Sequence, residues 1–295
     1  MDKVIIRGSS FLIPSGYEKA ASYVSGSIMV TDEDISRIST DDMVKKNELI
    51  SREFIVTSDK LLSELGGADK YPQNMTGVSF GTSDGCWSSL SDASRGIAEK
   101  GVKGMRPKDA AKCTMSGAAA KTAMRFGFKA FSMTNCCGSN AGLEAIIFAY
   151  DMLKSGRAKY SMTGAGDEGS IYGALMLERN DSSDNLSIAG CSRGLVYGSD
   201  VQPQLEYHIY SALRNSSIES ADSVIIVGKT MSEELYQAAG KVFGRDIITL
   251  FDTPDPVPAA SGIMAAAYAK RICRETCVVM QYSENGYFSN VVLKK

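Results

Sequence analysis

One histidine, His208, stands among 295 residues. A Ser–His–Asp or Cys–His site needs an imidazole beside its nucleophile, so this chain offers a single candidate base. No C-x-x-C pair occurs, and the seven cysteines (Cys86, Cys113, Cys136, Cys137, Cys191, Cys273, Cys277) are an odd number. That pattern indicates neither a metal cluster nor a disulfide framework, and no cofactor is expected. No run reaches about 18 apolar residues, so no membrane span is expected. The opening MDKVIIRGSSFLIPSG holds only the short apolar runs Val4–Ile6 and Phe11–Ile13 and does not read as a signal peptide. Reduced thiols without an export signal point to the cytoplasm. Neither sign of charge dominates: the formal net charge is −2. This speaks against a general nucleic-acid binder, yet leaves room for a local basic patch facing an acidic carrier.

What is present is an ordinary globular composition, 44% hydrophobic and 22% charged, long enough for one large domain or two equivalent halves. Val4–Ile6 reads as a short strand, Gly8 to Gly16 as a loop, and the charged stretch Asp32 to Lys46 as surface. Ser51 to Leu65 is helical in period, ended by Gly66-Gly67. Met75 to Phe80 reads as a strand. Pro107 opens a helix over Asp109 to Arg125, whose small-residue run Gly117 to Ala123 implies close packing between sheets. Phe131 to Thr134 reads as a strand, Asn140 to Lys154 as an amphipathic helix, and Tyr160 to Thr163 as a strand. The polar link Arg179 to Asn185 divides the chain into halves at 1–180 and 181–295. The second half gives helices at Tyr207–Asn215, Ser232–Val242 and Ala260–Arg271. Its strands fall at Ser223–Val227, Ile247–Phe251, Thr276–Tyr282 and Tyr287–Leu293. Alternating strands and helices imply an α/β fold with helix-covered sheets.

Three places carry candidate chemistry. Gly81-Thr82-Ser83-Asp84-Gly85 matches a nucleophile elbow after a strand, with a plain Gly-rich turn as the alternative. Cys136 and Cys137 are thiols near a helix start, or two small residues ending a strand. Ser139 is positioned to cap the helix that follows, and a hydroxyl there is no nucleophile without a base. His208 lies in the helical stretch LEYHIYSALRN, and Asp167-Glu168 reads as a solvated turn.

The segment Gly127 to Asp167 resembles β-ketoacyl-acyl carrier protein synthases of the thiolase fold. The resemblance is carried by Gly127-Phe128-Lys129-Ala130, by Gly138-Ser139-Asn140-Ala141-Gly142-Leu143-Glu144-Ala145-Ile146, by Gly156 and Ala158, and by Gly164-Ala165-Gly166. It needs no gap across about forty positions. Val4 to Gly16, Met75 to Gly85, Asp222 to Thr230 and Phe243 to Ala269 resemble further stretches of the family more loosely. The fold this implies is thiolase-like, an α-β-α-β-α layering of two pseudo-equivalent halves.

In that register Ser139 takes the place of the family's nucleophilic cysteine. Gly228 lies near the first catalytic histidine, and Pro256 stands where the second belongs. The resemblance therefore implies a subunit without condensing activity, similar to the chain length factors that pair with an active ketosynthase in type II polyketide and aryl polyene synthesis. It implies a heterodimer contact along Phe131, Ser132, Met133, Thr134, Asn135 and Cys136. It also implies a tunnel wall at Cys113, Ser116, Gly117 and Ala118, and access to acyl carrier protein through the complex. Two other readings remain open: a scaffold subunit of another two-protein condensing enzyme, and an acyl hydrolase that uses Ser83, Ser139 or a cysteine with His208.

Overall fold

The computed structural model describes residues 3–42, 44–180, 185–228, 232–253 and 258–295. The first half contains β1 (Lys3–Leu12), α1 (Glu18–Tyr23), β2 (Ile28–Met29), α2 (Asp32–Ser39), α3 (Leu49–Glu64) and β3 (Thr76–Gly81). It continues through α4 (Trp87–Lys100), α5 (Pro107–Ala110), α6 (Gly117–Phe126), β4 (Ser132–Asn135), α7 (Ala141–Lys154), β5 (Tyr160–Gly166) and β6 (Tyr172–Asn180). The second half contains β7 (Ser187–Leu195), α8 (Val201–Ser216), β8 (Ser223–Val227), α9 (Ser232–Phe243), β9 (Ile248–Phe251), α10 (Ser261–Ile272), β10 (Thr276–Tyr282) and β11 (Tyr287–Lys294).

The strands hydrogen-bond in the order β4-β3-β5-β6-β1-β7-β11-β10-β8-β9, with β2 beside β1. The order β4-β3-β5-β6-β1 recurs as β9-β8-β10-β11-β7. The senses recur as well. The β3–β4, β3–β5, β8–β9 and β8–β10 pairs are parallel, while β5–β6, β1–β6, β10–β11 and β7–β11 are antiparallel. The two halves meet edge to edge at Val4 and Ile5 opposite Ile188 and Ser187.

Strand alternation sorts the side chains into layers. In β8, Val224 and Ile226 join the outer cluster with Leu205, Ile209 and Leu235, whereas Ile225 and Val227 join the central one. β10 behaves alike, with Val278 and Met280 outside and Cys277 and Val279 inside. On the other side Val78, Phe80 and Met162 pack with Phe54, Leu61 and Ala119. The result is α3 and α6, a sheet, α7 with α10, a second sheet, then α8 and α9. This is a thiolase-like α-β-α-β-α arrangement.

The middle layer explains the composition of its helices. α7 buries Ala141, Gly142, Leu143, Ala145, Ile146, Ile147, Ala149, Tyr150 and Leu153, so it is covered on nearly every side rather than amphipathic. α10 buries Gly262, Ile263, Met264, Ala265, Ala266 and Ala269. These small residues let the two axes approach: a Cβ on Gly262 would lie 2.8 Å from the backbone nitrogen of Leu143.

Several sequence expectations are corrected here. β1 runs on to Leu12 instead of ending in a loop at Gly8, with an irregularity in its pairing to β6 between Ile6 and Gly8. The helix expected over 109–125 is broken. α5 ends at Ala110, a 3-10 turn covers Ala111–Cys113, and α6 begins only at Gly117. α6 lies on α3 in an outer layer, not between sheets; the small residues between the sheets belong to α7 and α10. Helix α4 and strands β6 and β7 were not expected from the sequence.

Candidate functional site

The carboxyl ends of β3, β5 and β10 approach the amino end of α7, with the start of α10 beside it. Parallel strands feeding helices place loops and helix N-termini on one side, where α/β proteins commonly bind ligands. Here the turn Cys136 to Asn140 meets the loop after β3, the turn after β5, and the start of α10.

Asp167 ties these loops together. Its carboxylate accepts hydrogen bonds from Thr82 Oγ1 at 2.9 Å, the Ser83 amide at 2.7 Å and the Ala259 amide at 2.9 Å. Glu168 accepts one from the Ser88 amide at 3.2 Å. The Asp167-Glu168 turn is therefore a connector and not the solvated turn expected from its charge. Replacing Asp167 by alanine leaves three donors unmet and is expected to cost about 3 kcal/mol, seen as a lower urea midpoint with an unchanged slope. The same bonds hold Gly81 to Gly85 as a pinned turn. Ser83 has its amide on Asp167 and no imidazole among its hydrogen-bond partners.

Ser139 lies in a 3-10 turn, Gly138–Asn140, and no side chain caps α7. The capping role expected of Ser139 is thus not formed. The Asn140 side chain turns instead to the second half. Its Nδ2 donates to the carbonyls of Gln281 and Tyr287, both at 3.2 Å, and to Ser289 Oγ at 3.1 Å. Ser289 in turn donates to Glu144 Oε1 at 2.6 Å, and Arg193 Nη1 donates to Glu144 Oε2 at 3.2 Å. This chain of polar groups, buried except at Arg193, joins residues about 140 positions apart, and sequence reasoning missed it.

His208 stands on the other side of the second sheet. Phe288 and Asn290 face outward, with the Phe288 ring 5.7 Å from the imidazole centroid and Asn290 Nδ2 donating to the His208 carbonyl. Ser289, between them in β11, faces inward to Asn140 and Glu144. A sheet therefore separates His208 from Ser139. Burial lowers the His208 pKa, so the ring is neutral near pH 7. Cys136 is exposed and Cys137 half-buried, both just beyond the end of β4. Burial pushes both thiols up, and Asp167 beside Cys136 and Glu144 beside Cys137 push the same way. Neither environment generates a thiolate.

Gly228 closes β8 with φ of 110°, a backbone conformation that a side-chain-bearing residue rarely adopts. Pro256 lies outside the described residues. Among residues 131–136, Ser132–Asn135 form β4, with Phe131 before it and Cys136 after it. The Phe131 ring packs edge-on against Phe148. β4 is the edge of its sheet, paired only to β3. The Phe131 carbonyl accepts from the Val78 amide in β3 and the Asn135 carbonyl from the Thr82 amide just after it, so by alternation the Ser132 and Thr134 backbone groups face away. Cys113 Sγ points to the carbonyls of Ser89 and Asp109, and Ser116 is exposed. Gly117 and Ala118 are buried against α3, with Glu48 over Gly117. Among the described residues no group of three or more His, Cys, Asp or Glu side chains could hold a metal ion, and no helix is long and apolar enough to cross a membrane.

The family model for the β-ketoacyl synthase N-terminal domain matches residues 12–179, more than half of the chain. The chain belongs to the β-ketoacyl synthase family. Solved structures of similar fold include "The ishigamide ketosynthase/chain length factor", with TM-score 0.78 and 16% identity, covering 99% of each chain. Another is described as AntDE:AntF (apo), a type II PKS acyl-carrier protein in complex with its ketosynthase bound to the hexaketide, with TM-score 0.81 and 18% identity over 100% of this chain and 99% of that one. A β-ketoacyl synthase from Burkholderia phymatum STM815 aligns over 100% of both chains with TM-score 0.77 and 11% identity. No curated protein matches the chain. At these identities the likeness is one of fold.

Proposed function

We propose that this chain is the non-condensing partner of an active ketosynthase, a chain length factor that shapes the acyl or polyene tunnel where the two subunits meet. The observation that carries the reading is the turn before α7. Ser139 has no base, the one imidazole lies behind a sheet, and Gly228 offers no side chain where the family resemblance asks for a histidine. A thioester enolate and its oxyanion need donors held in place; losing one such donor costs on the order of 10²–10³ in rate. The fold is shared with a structure described as a ketosynthase/chain length factor and equally with structures described as ketosynthases, so the assignment rests on the turn.

In this reading β4, with Phe131 and Cys136 at its ends, forms the contact with the ketosynthase. Cys113 and Ser116 border the tunnel, and the α3-facing Gly117 and Ala118 back it. Acyl carrier protein is met through the complex. The two repeated halves, 1–180 and 181–295, act as one unit. An aryl polyene pathway is the narrower setting. Against an acyl hydrolase with Ser139 as nucleophile stands the placement of His208 and Ser139 in different layers.

Co-expression with the ketosynthase of the same pathway tests this. The two chains are expected to co-purify one to one, and the isolated chain is expected to leave malonyl carrier protein unconsumed. Condensation by the isolated chain would overturn the assignment.

A further inference from the structure

At the start of α8, on the outer face of the second sheet, a cleft of about 540 Å³ opens to solvent. Leu195 and Tyr197 line it from the end of β7 and just beyond. Asp200 lines it from the turn before α8, and Pro203, Tyr207 and His208 line it from the helix. The Tyr197 and Tyr207 side chains are 74% and 62% exposed, so two aromatic rings are left to water in one concavity.

The walls are held in place. The Gln204 side-chain amide accepts from the Tyr197 amide at 3.3 Å. It donates to the carbonyls of Tyr197 at 2.8 Å and Asp200 at 2.9 Å, which ties the turn to α8. The His208 imidazole rests on the β7 backbone, where a Cβ on Gly194 would lie 2.0 Å from its Cε1. The Tyr207 ring meets the imidazole edge-on with centroids 5.5 Å apart, and Phe288 lies against it at 5.7 Å. A site fixed in advance loses little freedom when it is filled.

The lining selects a positive charge. Asp200 is its one carboxylate; it makes no side-chain cap to α8 and has no ion-pair partner among the described residues. No Lys or Arg lines the cleft among the described residues, and Lys241 of α9 is held by Glu206. Burial lowers the His208 pKa, so the ring is neutral near pH 7 and does not repel a cation. Tyrosine ring faces attract one. The Gln204 oxygen is already taken by the Tyr197 amide, and the walls are otherwise mostly rings. A primary ammonium has three donors to satisfy there, whereas a quaternary ammonium has none. We propose that this cleft binds a small soluble quaternary ammonium cation, held by the Tyr197 and Tyr207 rings and the Asp200 carboxylate. The site lies across the second sheet from Ser139 and Asn140 and is independent of any pairing through β4.

The test uses the full-length chain with choline chloride as probe, followed by the amide chemical shifts of Tyr207 and His208. Saturable shifts at millimolar choline are expected, with the uncharged isostere 3,3-dimethyl-1-butanol at least ~10-fold weaker. Tyr207→Leu is expected to weaken choline at least ~10-fold while melting with the parent, because the side chain is exposed, and Tyr207→Phe to bind within ~2-fold, because the ring matters and not the hydroxyl. If Tyr207→Leu does not fold, Tyr197→Leu carries the same comparison. No saturable shift, equal binding of the uncharged isostere, or equal choline affinity in parent and leucine variant overturns the proposal. Tighter binding of N-acetylarginine amide than of choline overturns it in favour of a partner's arginine. Co-sedimentation with phosphatidylcholine vesicles overturns it in favour of a lipid surface.

Discussion

Gly142→Ala is expected to destabilise the chain by about 3 kcal/mol, the upper part of the range for overfilling a packed core. A Cβ at this position overlaps the backbone carbonyl oxygen of Ala259, with Ala165 and Ile263 close on other sides. A flexible side chain could swing away, but the Ala259 carbonyl cannot. The Ala259 amide is held by Asp167, and Ala259 is fully buried just before α10. The added methyl must therefore push α7 and α10 apart, which loosens the layer both halves share. A urea titration followed by far-UV circular dichroism checks this. A midpoint within error of the parent would show that the two helices can separate without cost.

If the chain pairs with a ketosynthase through β4, as proposed, Thr134→Pro is expected to weaken that pairing by about 100-fold while leaving the monomer folded. β4 is short and lies at the sheet edge, and its Thr134 amide points away from β3. Proline there removes a donor that serves nothing inside this chain, which is where edge strands tolerate it. A partner strand added along that edge would lose a ladder hydrogen bond and meet the ring. Met133→Pro is the matched control: its amide faces β3, so it damages the fold itself. Analytical ultracentrifugation of the co-expressed pair separates these results. Undiminished pairing by Thr134→Pro would place the contact elsewhere on the surface.

Much of the second half was legible in the sequence, because Ser223–Val227 and Thr276–Tyr282 are unbroken runs buried on both faces. Their boundaries in the structure coincide with those expected. β6 was not legible. Its Tyr172–Asn180 stretch is rich in Ala, Leu, Met and Glu, residues that favour helix, and only pairing with β1 on one side and β5 on the other makes it a strand. α4 was hidden for the opposite reason. It carries four serines and a glycine, and buries none of its residues, so no apolar stripe announces it. The glycine pattern of the turn at Ser139 was readable locally. The contacts that define that site were not: Asp167 reaches residues 82, 83 and 259, and Asn140 reaches Gln281, Tyr287 and Ser289. Such links depend on the packing of layers, which no local period records.

The shared middle layer also bears on biosynthesis. α7 is covered by the second sheet as well as the first, and β1 hydrogen-bonds to β6 some 170 residues later. A nascent chain that has released only residues 1–180 still presents the unmet face of α7 to water. The stretch recognised as a family domain is thus not a unit that can finish folding by itself. The ribosome must deliver nearly all of β10 and β11 before the centre can close, and until then the emerging chain is a natural client for chaperones.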